Sequence, residues 1–470
     1  MPDYDIAIIG GGPGGYVAAI RAAQLGKKVA LIEKDRVGGL CLNWGCIPSK
    51  ALLWNAEVVN LMRDAEIYGI SFDNLKLDMA KAIDRSRQIV DQMVKGVEFL
   101  LNKNGVTVIP GEASFLSPNE LSIRASDAPP ASDDRRLTTT HTIIATGARP
   151  RALPGLTTNG TTIINSRDAL ALREQPASVV IVGGGPIGVE FATFWHAYGV
   201  DVTIVEALEH LLPLEDEEIS TQLERAYKKQ KIKFITGAQV HAATMANGRA
   251  TVTLTAGAKD QQLEADKVLV SIGFEANVES LDLDRIGVLV ERGYIKTGPG
   301  LSTGVDGVYA IGDVTGIKNL AHVASAMGVM LVERLSGLDA PELDYTKMPC
   351  ATYCQPEVAS IGLTERQAID AGREVKVGKF PIRANGRAKA INMTDGIIKI
   401  VADAATRETL GVHMIGPMVT ELLAEASLGM TLEVTPRELG WTVAAHPTLA
   451  ECVKEAALAV DGDAIHFWTE

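Results

Sequence analysis

Short apolar runs and one helical stretch open the chain in a regular order. Residues 5–10 form an apolar run, and a glycine-rich turn through Gly15 follows it. Small and apolar residues then recur at helical spacing as far as Leu25, and Gly26 ends that stretch before a second apolar run at residues 28–33. This order predicts a strand, a helix and a second strand, the unit from which parallel sheets are built.

The same order returns in the middle of the chain. Residues 179–182 predict a strand, residues 189–198 a helix and residues 202–206 a further strand. In both units three glycines stand at the turn, and the first of them lies 23 residues before a glutamate that ends the second strand. Two such units in register predict two dinucleotide-binding domains, against the alternative that they are only tight turns. The matching residues are Gly10, Gly12, Gly15 and Glu33 in the first unit and Gly183, Gly185, Gly188 and Glu206 in the second.

A long amphipathic stretch lies between the two units. Its apolar residues recur on one stripe and predict a packing helix, which Asn104 and Gly105 end. The later stretch 125–136 is rich in Asp, Ser, Pro and Arg, so it is interpreted as an exposed hairpin loop without chemistry. The stripe consists of Met79, Ile83, Val90, Met93, Val97 and Leu100.

The pattern changes from about Tyr345 onward. Short strands with alternating polarity are predicted there, among them residues 397–401 and 410–415, together with two helices. This change predicts a separate C-terminal domain.

Composition limits the classes of partner. The formal net charge is −13 and the sequence pI about 5.2, so the surface repels phosphate backbones and no nucleic acid partner is expected. No apolar run approaches the roughly 20 residues that cross a bilayer, and the first residues lack the features of a secretory signal. We therefore expect no membrane span and a bacterial cytoplasmic location, or the mitochondrial matrix if a transit peptide has been removed.

The glycine turns predict how a nucleotide would bind. The first glycine allows a tight turn, the second lets the backbone approach a pyrophosphate, and the third lets the helix pack on the strand. The glutamate then accepts hydrogen bonds from a ribose hydroxyl. Because Ala207 and Leu208 follow Glu206 and no arginine stands beside it, the second unit is expected to prefer NAD to NADP. The glycines alone leave open which unit holds which nucleotide.

Two further segments are predicted to be strands whose carboxyl ends could contribute to a nucleotide site. Residues 142–150 lead to Thr146 and Gly147, and residues 301–313 lead to Gly312 and Asp313. A carboxylate at the carboxyl end of a strand is well placed to bind the polyol of a ligand. The alternative for Asp313 is a helix N-cap.

Cys41 and Cys46 form the candidate reactive pair among five cysteines. Five residues of regular helix would separate their Cα atoms by about 7.5 Å, more than a disulfide allows. A bridge therefore needs a non-helical start, which Asn43 and Gly45 would permit, and Pro48 fits the first turn of a following helix. A thiolate at a helix start is stabilised by the helix dipole. The alternatives are two inert cysteines or a zinc site, for which no further ligands follow at the right spacing. Cys350 and Cys354 are interpreted as inert.

His446 and Glu451 form a candidate acid–base pair. Thiol–disulfide exchange needs a group that takes and returns a thiol proton near neutral pH, which histidine can do. A glutamate at the start of the next helix could orient the ring through its second nitrogen. By itself, a histidine before Pro447 is more often structural; the cysteine pair and the two nucleotide units together favour a catalytic role.

The motifs together resemble the flavin-dependent pyridine nucleotide–disulfide oxidoreductases, and within that family the members that oxidise dihydrolipoamide. The resemblance covers nearly the whole chain and is carried by GGGPGG, GGLCLNWGCIPSK, TIIATGARP, GGGPIGVE, VYAIGDV, GLTE, ANGRAKA and HPTLAE. It implies an α/β fold with two Rossmann-like domains, the first for FAD and the second for NAD, and a C-terminal α+β dimerisation domain. The implied boundaries are 1–149 and 277–344 for the FAD region, 150–276 for the NAD domain and 345–470 for the interface domain.

The resemblance also implies roles for single residues. Cys46 would face the flavin, Cys41 would exchange with the substrate, and Lys50 would lie near the flavin and pair with Glu190, rather than being a solvated helical lysine. His446 and Glu451 would reach the cysteines of the other subunit of a homodimer. No metal ligand is implied. The cofactor-binding residues assigned in this way are Gly10, Gly12, Gly15, Glu33, Lys50, Thr146, Gly147, Gly183, Gly185, Gly188, Glu206, Gly273, Asp313 and Ala321.

Partners and alternatives follow from the same resemblance. The substrate would be dihydrolipoamide, carried by a lipoyl-bearing acyltransferase or by the carrier protein of glycine cleavage. Glutathione reductase is disfavoured by the lack of basic residues after Glu206, and mercuric reductase by a tail in which Cys452 stands alone. Single-cysteine NADH oxidases are excluded by the intact pair. A non-catalytic assembly subunit stays open as a different class, although every motif is retained.

Overall fold

A seven-stranded sheet with helices around it forms the N-terminal part of the molecule. The computed structural model describes residues 1–125, 134–246 and 248–468. Six of its strands have the order β3-β2-β1-β6-β5-β4, and the first four of these run parallel. The seventh strand comes from later in the chain and also pairs with β6. The elements are β1 (Tyr4–Ile9), α1 (Pro13–Gln24), β2 (Val29–Glu33), α2 (Gly39–Trp44), α3 (Cys46–Arg63), α4 (Met79–Lys103), β3 (Thr107–Pro110), β4 (Glu112–Ser117), β5 (Glu120–Arg124), β6 (Arg135–Ile144) and β7 (Ala148–Pro150).

The second unit repeats the parallel arrangement in five strands. Its sheet has the order β11-β10-β9-β15-β8, and β12, β13 and β14 form a separate antiparallel meander. The predicted strands and helix of this unit are confirmed, and the helix begins three residues earlier than predicted, at Pro186. The elements are β8 (Ile163–Ile164), α5 (Ser166–Ala171), β9 (Ser178–Val182), α6 (Pro186–Ala197), β10 (Asp201–Val205), α7 (Glu217–Gln230), β11 (Lys233–Ile235), β12 (Ala238–Ala246), β13 (Arg249–Ala256), β14 (Lys259–Ala265), β15 (Lys267–Val270) and β16 (Phe274–Ala276).

The chain then returns to the first sheet. Strand β16 pairs with β7 in a short antiparallel ribbon, and β19 adds to the first sheet by pairing in parallel with β6. This return places Asp313, just after β19, beside the glycine turn after β1. The elements of the segment are α8 (Leu283–Ile286), β17 (Val290–Glu291), β18 (Tyr294–Ile295), β19 (Val308–Ala310) and α9 (Ala321–Leu335).

The C-terminal region is an antiparallel five-stranded sheet of order β20-β21-β24-β23-β22. The strands predicted at residues 397–401 and 410–415 are confirmed as β23 and β24. The expected alternation is wrong, because both strands are buried along their whole lengths. Helices cover the sheet, so both faces of these strands are enclosed. The described part of this region has five helices where two were predicted. Its elements are β20 (Cys350–Thr352), β21 (Glu357–Gly362), α10 (Glu365–Asp370), β22 (Val375–Pro381), α11 (Gly386–Ala390), β23 (Ile397–Asp403), β24 (Thr409–Gly416), α12 (Val419–Thr431), α13 (Pro436–Trp441) and α14 (Glu451–Ala459).

Two sequence predictions in the first unit need correction. The long helix is confirmed as α4, but Met93 and Leu100 are exposed, because the buried stripe runs through Val94 and Leu101 instead. The hairpin loop predicted at 125–136 lies mostly outside the described residues, at 126–133, and its last two residues already belong to β6. In the part of the chain that the structure describes, no helix is long and apolar enough to span a bilayer.

Candidate active site

The first glycine of each nucleotide unit is required by the backbone itself. Gly10 and Gly183 both have φ of +108°, a left-handed value that side chains disfavour. A Cβ atom on Gly10 would overlap the carbonyl of Ala145, and one on Gly183 would overlap the carbonyl of Ser271. The third glycines, Gly15 and Gly188, meet the same limit, since a Cβ atom on either would overlap the carbonyl of the first glycine of its unit. The predicted tight turn and close packing are therefore confirmed.

The second glycine of each unit faces open space. Gly12 and Gly185 are the N-cap residues of α1 and α6. A Cβ atom on Gly185 would meet no protein atom within 4 Å, and one on Gly12 would meet only the Cα atom of Gly39, at 3.9 Å. The protein's own packing does not demand glycine at these positions. A bound pyrophosphate would, because it accepts hydrogen bonds from the free amides at the start of a helix.

Both glutamates that end the second strands also brace the glycine turns. Glu33 Oε2 accepts a hydrogen bond from the Gly11 amide at 2.6 Å, and Glu206 Oε2 accepts one from the Gly184 amide at 2.6 Å. Their Oε1 atoms accept from the amides two residues further on, each at 2.8 Å. The sequence analysis did not foresee this second role, although the matched spacing of the two units was its signal. Each oxygen of these carboxylates accepts one such bond and keeps a second lone pair that could accept from a ribose.

A cavity of about 610 Å³ opens beside Glu33. It lies between the end of β2, the end of α4 and β3, and its charged lining is Glu33, Asp35, Arg36 and Glu98. Its place at the carboxyl ends of parallel strands is where α/β sheets bind nucleotides. The space and the donors and acceptors around it fit the adenosine half of a dinucleotide.

Asp313 lies inside the single turn that follows β19, so the N-cap alternative is wrong. The N-cap of that turn is Ile311, and no side chain caps it. Burial raises the pKa of Asp313 to about 6. In the described part of the chain its carboxylate has no hydrogen-bond partner, whereas an array of hydroxyl groups would supply one. This is the polar acceptor that a ligand polyol requires.

The remaining predicted cofactor residues stand at the ends of strands and at the start of a helix. Thr146 Oγ1 donates to the Asn277 carbonyl at 2.7 Å, and the Asn277 amide donates to the Gly147 carbonyl at 3.0 Å. These bonds tie the end of β6 to the segment after β16. Ala321 is the first residue of α9, and Gly273, with φ of +104°, precedes β16.

Cys41 and Cys46 form a disulfide, with Cα atoms 4.7 Å apart. The approach is possible because the helix breaks at Gly45, whose φ is −147° and ψ −110°. The prediction that Asn43 also leaves the helix is wrong: it belongs to α2 and is buried, where its amide donates to the Val37 carbonyl at 3.1 Å. Cys46 is the first residue of α3, where the helix dipole stabilises a thiolate.

Lys50 and Glu190 pair as the resemblance implies. The Lys50 ammonium lies 2.8 Å and 3.0 Å from the two carboxylate oxygens of Glu190, which is 7% exposed. It also stands 4.7 Å from the centre of the Tyr353 ring, and the Tyr353 amide donates to Glu190 Oε1 at 3.0 Å. Tyr353 was not singled out in the sequence, because no motif surrounds it. The cluster joins α3, α6 and the C-terminal sheet one turn after Cys46.

Trp44 was also not foreseen. Its ring lies between two guanidinium groups, Arg87 and Arg167, each 4.5 Å from the ring centre. Arg87 donates to the Asn43 carbonyl at 2.8 Å. This stack holds the end of α2 beside the disulfide.

His446 and Glu451 are joined as predicted. His446 Nδ1 lies 2.8 Å from Glu451 Oε1, and the Thr448 amide donates to Glu451 Oε2 at 2.9 Å. Burial raises the pKa of Glu451, but the hydrogen bonds from His446 and Thr448 outweigh it and the net pKa is lowered. His446 is 79% exposed, and no described contact joins it to Cys41 or Cys46 of the same chain.

The other cysteines are unsuited to thiolate chemistry. Burial raises the pKa of Cys350, that of Cys452 to about 12, and that of Cys354 well above its usual range. Cys354 donates to the Pro356 carbonyl at 3.2 Å. Within the described residues no group of three or more His, Cys, Asp or Glu side chains could hold a metal ion.

Comparison with known families identifies this architecture. Residues 4–328 match the family described as pyridine nucleotide-disulphide oxidoreductase, and residues 348–457 match the dimerisation domain of that family. The chain belongs to the pyridine nucleotide-disulphide oxidoreductases. It is therefore an NAD-dependent flavoprotein oxidoreductase of a family that uses FAD and NAD, and its dimerisation domain supports a homodimer.

Similar oxidoreductases of this family share nearly the whole length. The chain is 45% identical to the dihydrolipoyl dehydrogenase of Bacillus subtilis over 99% of both chains. It is also 45% identical to that of Mycobacterium leprae over 99% of this chain and all of that protein. These matches agree with the resemblance found in the motifs.

Solved structures of the family agree in fold. A Mycobacterium tuberculosis protein titled LpdA is 27% identical, with a TM-score of 0.89 over 96% of this chain and 99% of that one. The HOCl-induced flavoprotein disulfide reductase RclA of Escherichia coli is 27% identical, with a TM-score of 0.85 over 97% of this chain and 99% of that one.

Proposed function

We propose that the chain is a dihydrolipoyl dehydrogenase, which oxidises protein-bound dihydrolipoamide to lipoamide and reduces NAD. The observation that carries this is the disulfide between Cys41 and Cys46 at the break between α2 and α3. Full-length relatives with this name support the choice of substrate. The chain keeps both cysteines, His446 and both glycine turns, which a non-catalytic assembly subunit would not need.

The cysteine pair accounts for the thiol steps. One thiol of dihydrolipoamide gives its proton to His446, and the resulting thiolate attacks Cys41 Sγ. The Cys41–Cys46 bond breaks, and Cys46 leaves as a thiolate. The second substrate thiol attacks the substrate sulfur of the mixed disulfide and passes its proton to the leaving Cys41 sulfur. Lipoamide closes, Cys41 is left as a thiol, Cys46 stays a thiolate and the first proton stays on His446. Two electrons then reside on the cysteine pair, and NAD is their final acceptor.

Residues near the pair serve the onward transfer. When bound, FAD carries the two electrons from the reduced cysteines to NAD. In this proposal Cys46, the first residue of α3, is the cysteine that would face the flavin, as the resemblance implies. Lys50 lies one turn further along the same helix. Glu190 fixes the Lys50 ammonium by an ion pair, so the position of that charge is set before FAD and NAD bind.

The base is proposed to come from the partner subunit. His446 is exposed and makes no contact with the cysteines of its own chain, while its Nδ1 is already engaged by Glu451. That hydrogen bond leaves Nε2 as the nitrogen that takes the substrate proton. A homodimer formed by residues 345–470 would bring His446 of the partner subunit to Cys41.

Cofactor assignments and boundaries are part of the same proposal. The first unit would hold FAD through its glycine turn, Glu33, Thr146, Gly147, Asp313 and Ala321, and the second would hold NAD through its glycine turn, Glu206 and Gly273. We assign residues 1–149 and 277–344 to the FAD region, 150–276 to the NAD domain and 345–470 to the interface domain. NADH should be strongly preferred to NADPH, since Glu206 would repel a 2′-phosphate.

The physiological carrier of the substrate is proposed to be a lipoyl-bearing acyltransferase or the carrier protein of glycine cleavage. The bacterial relatives support a cytoplasmic site of action.

The testing experiment is anaerobic reduction of the purified flavoprotein by dihydrolipoamide, followed by addition of NAD, with visible absorbance recorded throughout. A long-wavelength band from thiolate–flavin charge transfer, followed by stoichiometric NADH, is expected. Reduction by NADH without any response to dihydrolipoamide would move the substrate to another disulfide or to mercuric ion. Equal kcat/KM for NADH and NADPH would contradict the nucleotide assignment.

A further inference from the structure

A second histidine–carboxylate pair lies beside the one just described. His466 Nδ1 lies 2.8 Å from Glu455 Oε1, the same distance that separates His446 and Glu451. Glu455 stands one turn after Glu451 on α14, so the two carboxylates share one side of that helix. No sequence motif pointed to His466, and the proposed mechanism does not use it.

The two pairs are built in the same way. In each, one carboxylate oxygen holds the imidazole Nδ1 and the other accepts backbone amides: Thr448 for Glu451, and Ile465 and His466 for Glu455. Glu455 is more enclosed, with its side chain 5% exposed, whereas the His466 ring is 70% exposed. Each imidazole therefore has Nδ1 held by its carboxylate, and Nε2 is not engaged within its own pair.

The segment that carries His466 is anchored. The Phe467 ring packs edge-on against Phe380 of β22, with ring centres 6.3 Å apart. The Arg383 guanidinium lies 5.7 Å from the centre of the Phe467 ring. The position of His466 is therefore fixed by its contact with Glu455 and by the packing of the next residue, Phe467.

The pairs are also coupled electrostatically. An imidazolium at His466 contributes to lowering the pKa of the Glu451 carboxyl, after the larger effects of burial, His446 and Thr448. Burial raises the pKa of Glu455, but its hydrogen bonds with His466 and the two amides outweigh this. Both carboxylates are thus ionised near neutral pH.

Other charged side chains surround the two pairs, and some of them are held by partners of their own. Asp461 is engaged by Lys376 and Arg407, and Lys379 by Glu218. The titratable and charged side chains on α14 and on the elements packed around it and its flanking segments are Lys376, Lys379, Arg383, Arg387, Lys389, Lys399, Asp403, Arg437, Glu438, His446, Glu451, Cys452, Lys454, Glu455, Asp461, Asp463 and His466.

We propose that His466, held by Glu455, is a positioning residue for dithiol oxidation, whose charge sets the pH range in which the His446–Glu451 pair accepts a thiol proton. This inference rests on the proposed function. A cation beside the pair favours ionised Glu451 and opposes protonation of His446. The base therefore stays available to lower pH than it would without His466.

The test compares His466→Asn with His466→Lys in the FAD-bound dimer. Asparagine can keep a donor to Glu455 but carries no charge, whereas lysine keeps a permanent charge. The rate of enzyme reduction is measured from pH 5 to 9 with dihydrolipoamide and, separately, with dithiothreitol. For His466→Asn we expect the midpoint of the acidic limb to rise by about 0.3 to 1 pH unit, as for one charge removed at about 10 Å. For His466→Lys the midpoint should stay at or below the wild-type value.

Controls separate this role from a structural one. His241→Asn removes an exposed histidine of the meander, bonded to Thr255, and should leave the midpoint unchanged. The difference between His466→Asn and wild type should shrink in 0.5 M salt, because exposed charges are screened. Equal slowing of both His466 variants at every pH, with no shift, would overturn the inference.

Measurements with the two dithiols distinguish a failure of this inference from a failure of the proposed function. If dithiothreitol reduces the wild-type protein and dihydrolipoamide does not, the proposed substrate is wrong. The His466 variants can then still be compared with dithiothreitol as the reductant. A holoenzyme that neither dithiol reduces would overturn both.

Discussion

Lys50 and Glu190 join the two nucleotide units by an ion pair with an Nζ–Oε1 distance of 2.8 Å. Lys50 stands four residues after Cys46 on α3, and Glu190 lies on α6, the helix that begins at the second glycine turn. The pair therefore connects the disulfide to the place where the second nucleotide is proposed to bind. Because Glu190 is 7% exposed, loss of the Lys50 charge would leave that carboxylate poorly solvated.

Replacement of this carboxylate should slow electron transfer more than thiol exchange. In Glu190→Gln the Lys50 ammonium loses its ionic partner, and we expect kcat with NAD to fall about 10-fold or more. Reduction of the cysteine pair by dihydrolipoamide should change less than about 3-fold. Stopped-flow absorbance resolves the two steps. Glu333→Gln, which breaks the Arg21–Glu333 pair between α1 and α9, is the control and should leave both rates nearly unchanged. Equal losses in the two steps would contradict the assigned role.

Cys41 should be indispensable for the dithiol reaction and dispensable for cofactor binding. In Cys41→Ser the disulfide cannot form, so dihydrolipoamide oxidation should fall by at least about 1,000-fold while FAD stays bound. Reduction of ferricyanide by NADH, which needs no cysteine pair, should persist. Cys350→Ser is the matched control, since that thiol is half-buried and its pKa is raised by burial. Substantial dihydrolipoamide turnover by Cys41→Ser would exclude the proposed relay.

Local sequence patterns predicted the nucleotide units well. Both glycine turns, the strands on either side of them and the glutamates are confirmed, because each depends on residues within about 25 positions and on backbone geometry that only glycine allows. The bracing of Gly11 and Gly184 by those glutamates was not predicted, since a motif identifies a residue without all its hydrogen bonds. The break between the cysteines was located only approximately, with Asn43 taken wrongly as non-helical.

Tertiary relationships were less accessible. Tyr353 is more than 300 residues from Lys50 in the chain, and only folding shows that the aromatic ring faces that ammonium. The C-terminal strands were expected to alternate, yet Lys399 and His413 are buried within them because helices cover the sheet. The His466–Glu455 pair was not predicted either, because its two residues belong to no sequence motif.

Asp313 should make the FAD-free protein less stable as pH rises. Burial raises the pKa of the folded carboxyl to about 6, against 3.8 for an unperturbed aspartate. Between these values the folded chain holds a proton that the unfolded chain has lost, so the free energy of unfolding falls as pH rises, and the loss is complete above pH 6. Asp313→Asn cannot ionise, and after removal of FAD it should exceed wild type by up to about 3 kcal/mol at pH 8. Denaturant unfolding at pH 4 and pH 8 measures this.

The effect of Asp313→Asn should also be measured on FAD binding. Asparagine offers a weaker acceptor to ligand hydroxyls than a carboxylate, so Asp313→Asn should release FAD more readily although the FAD-free chain is more stable. Fluorescence of released flavin measures the affinity. A variant that is less stable than wild type at pH 8 without FAD would show that the carboxylate has a partner in the folded chain.

Lys399 should contribute much of the stabilisation between the second nucleotide unit and the C-terminal sheet. It is 3% exposed, and its ammonium lies 2.8 Å from Asp216 Oδ1 and 2.7 Å from Glu365 Oε2. Asp216 caps α7 and is itself buried, so Lys399→Met leaves that carboxylate without its cation. We expect a loss of about 3–5 kcal/mol in the free energy of unfolding, measured by thermal or denaturant unfolding of the FAD-bound dimer. Lys379→Met is the matched control: that side chain is 44% exposed and pairs with Glu218 alone, so its loss should cost no more than about 1 kcal/mol. Equal effects of the two replacements would mean that burial does not decide the strength of these ion pairs.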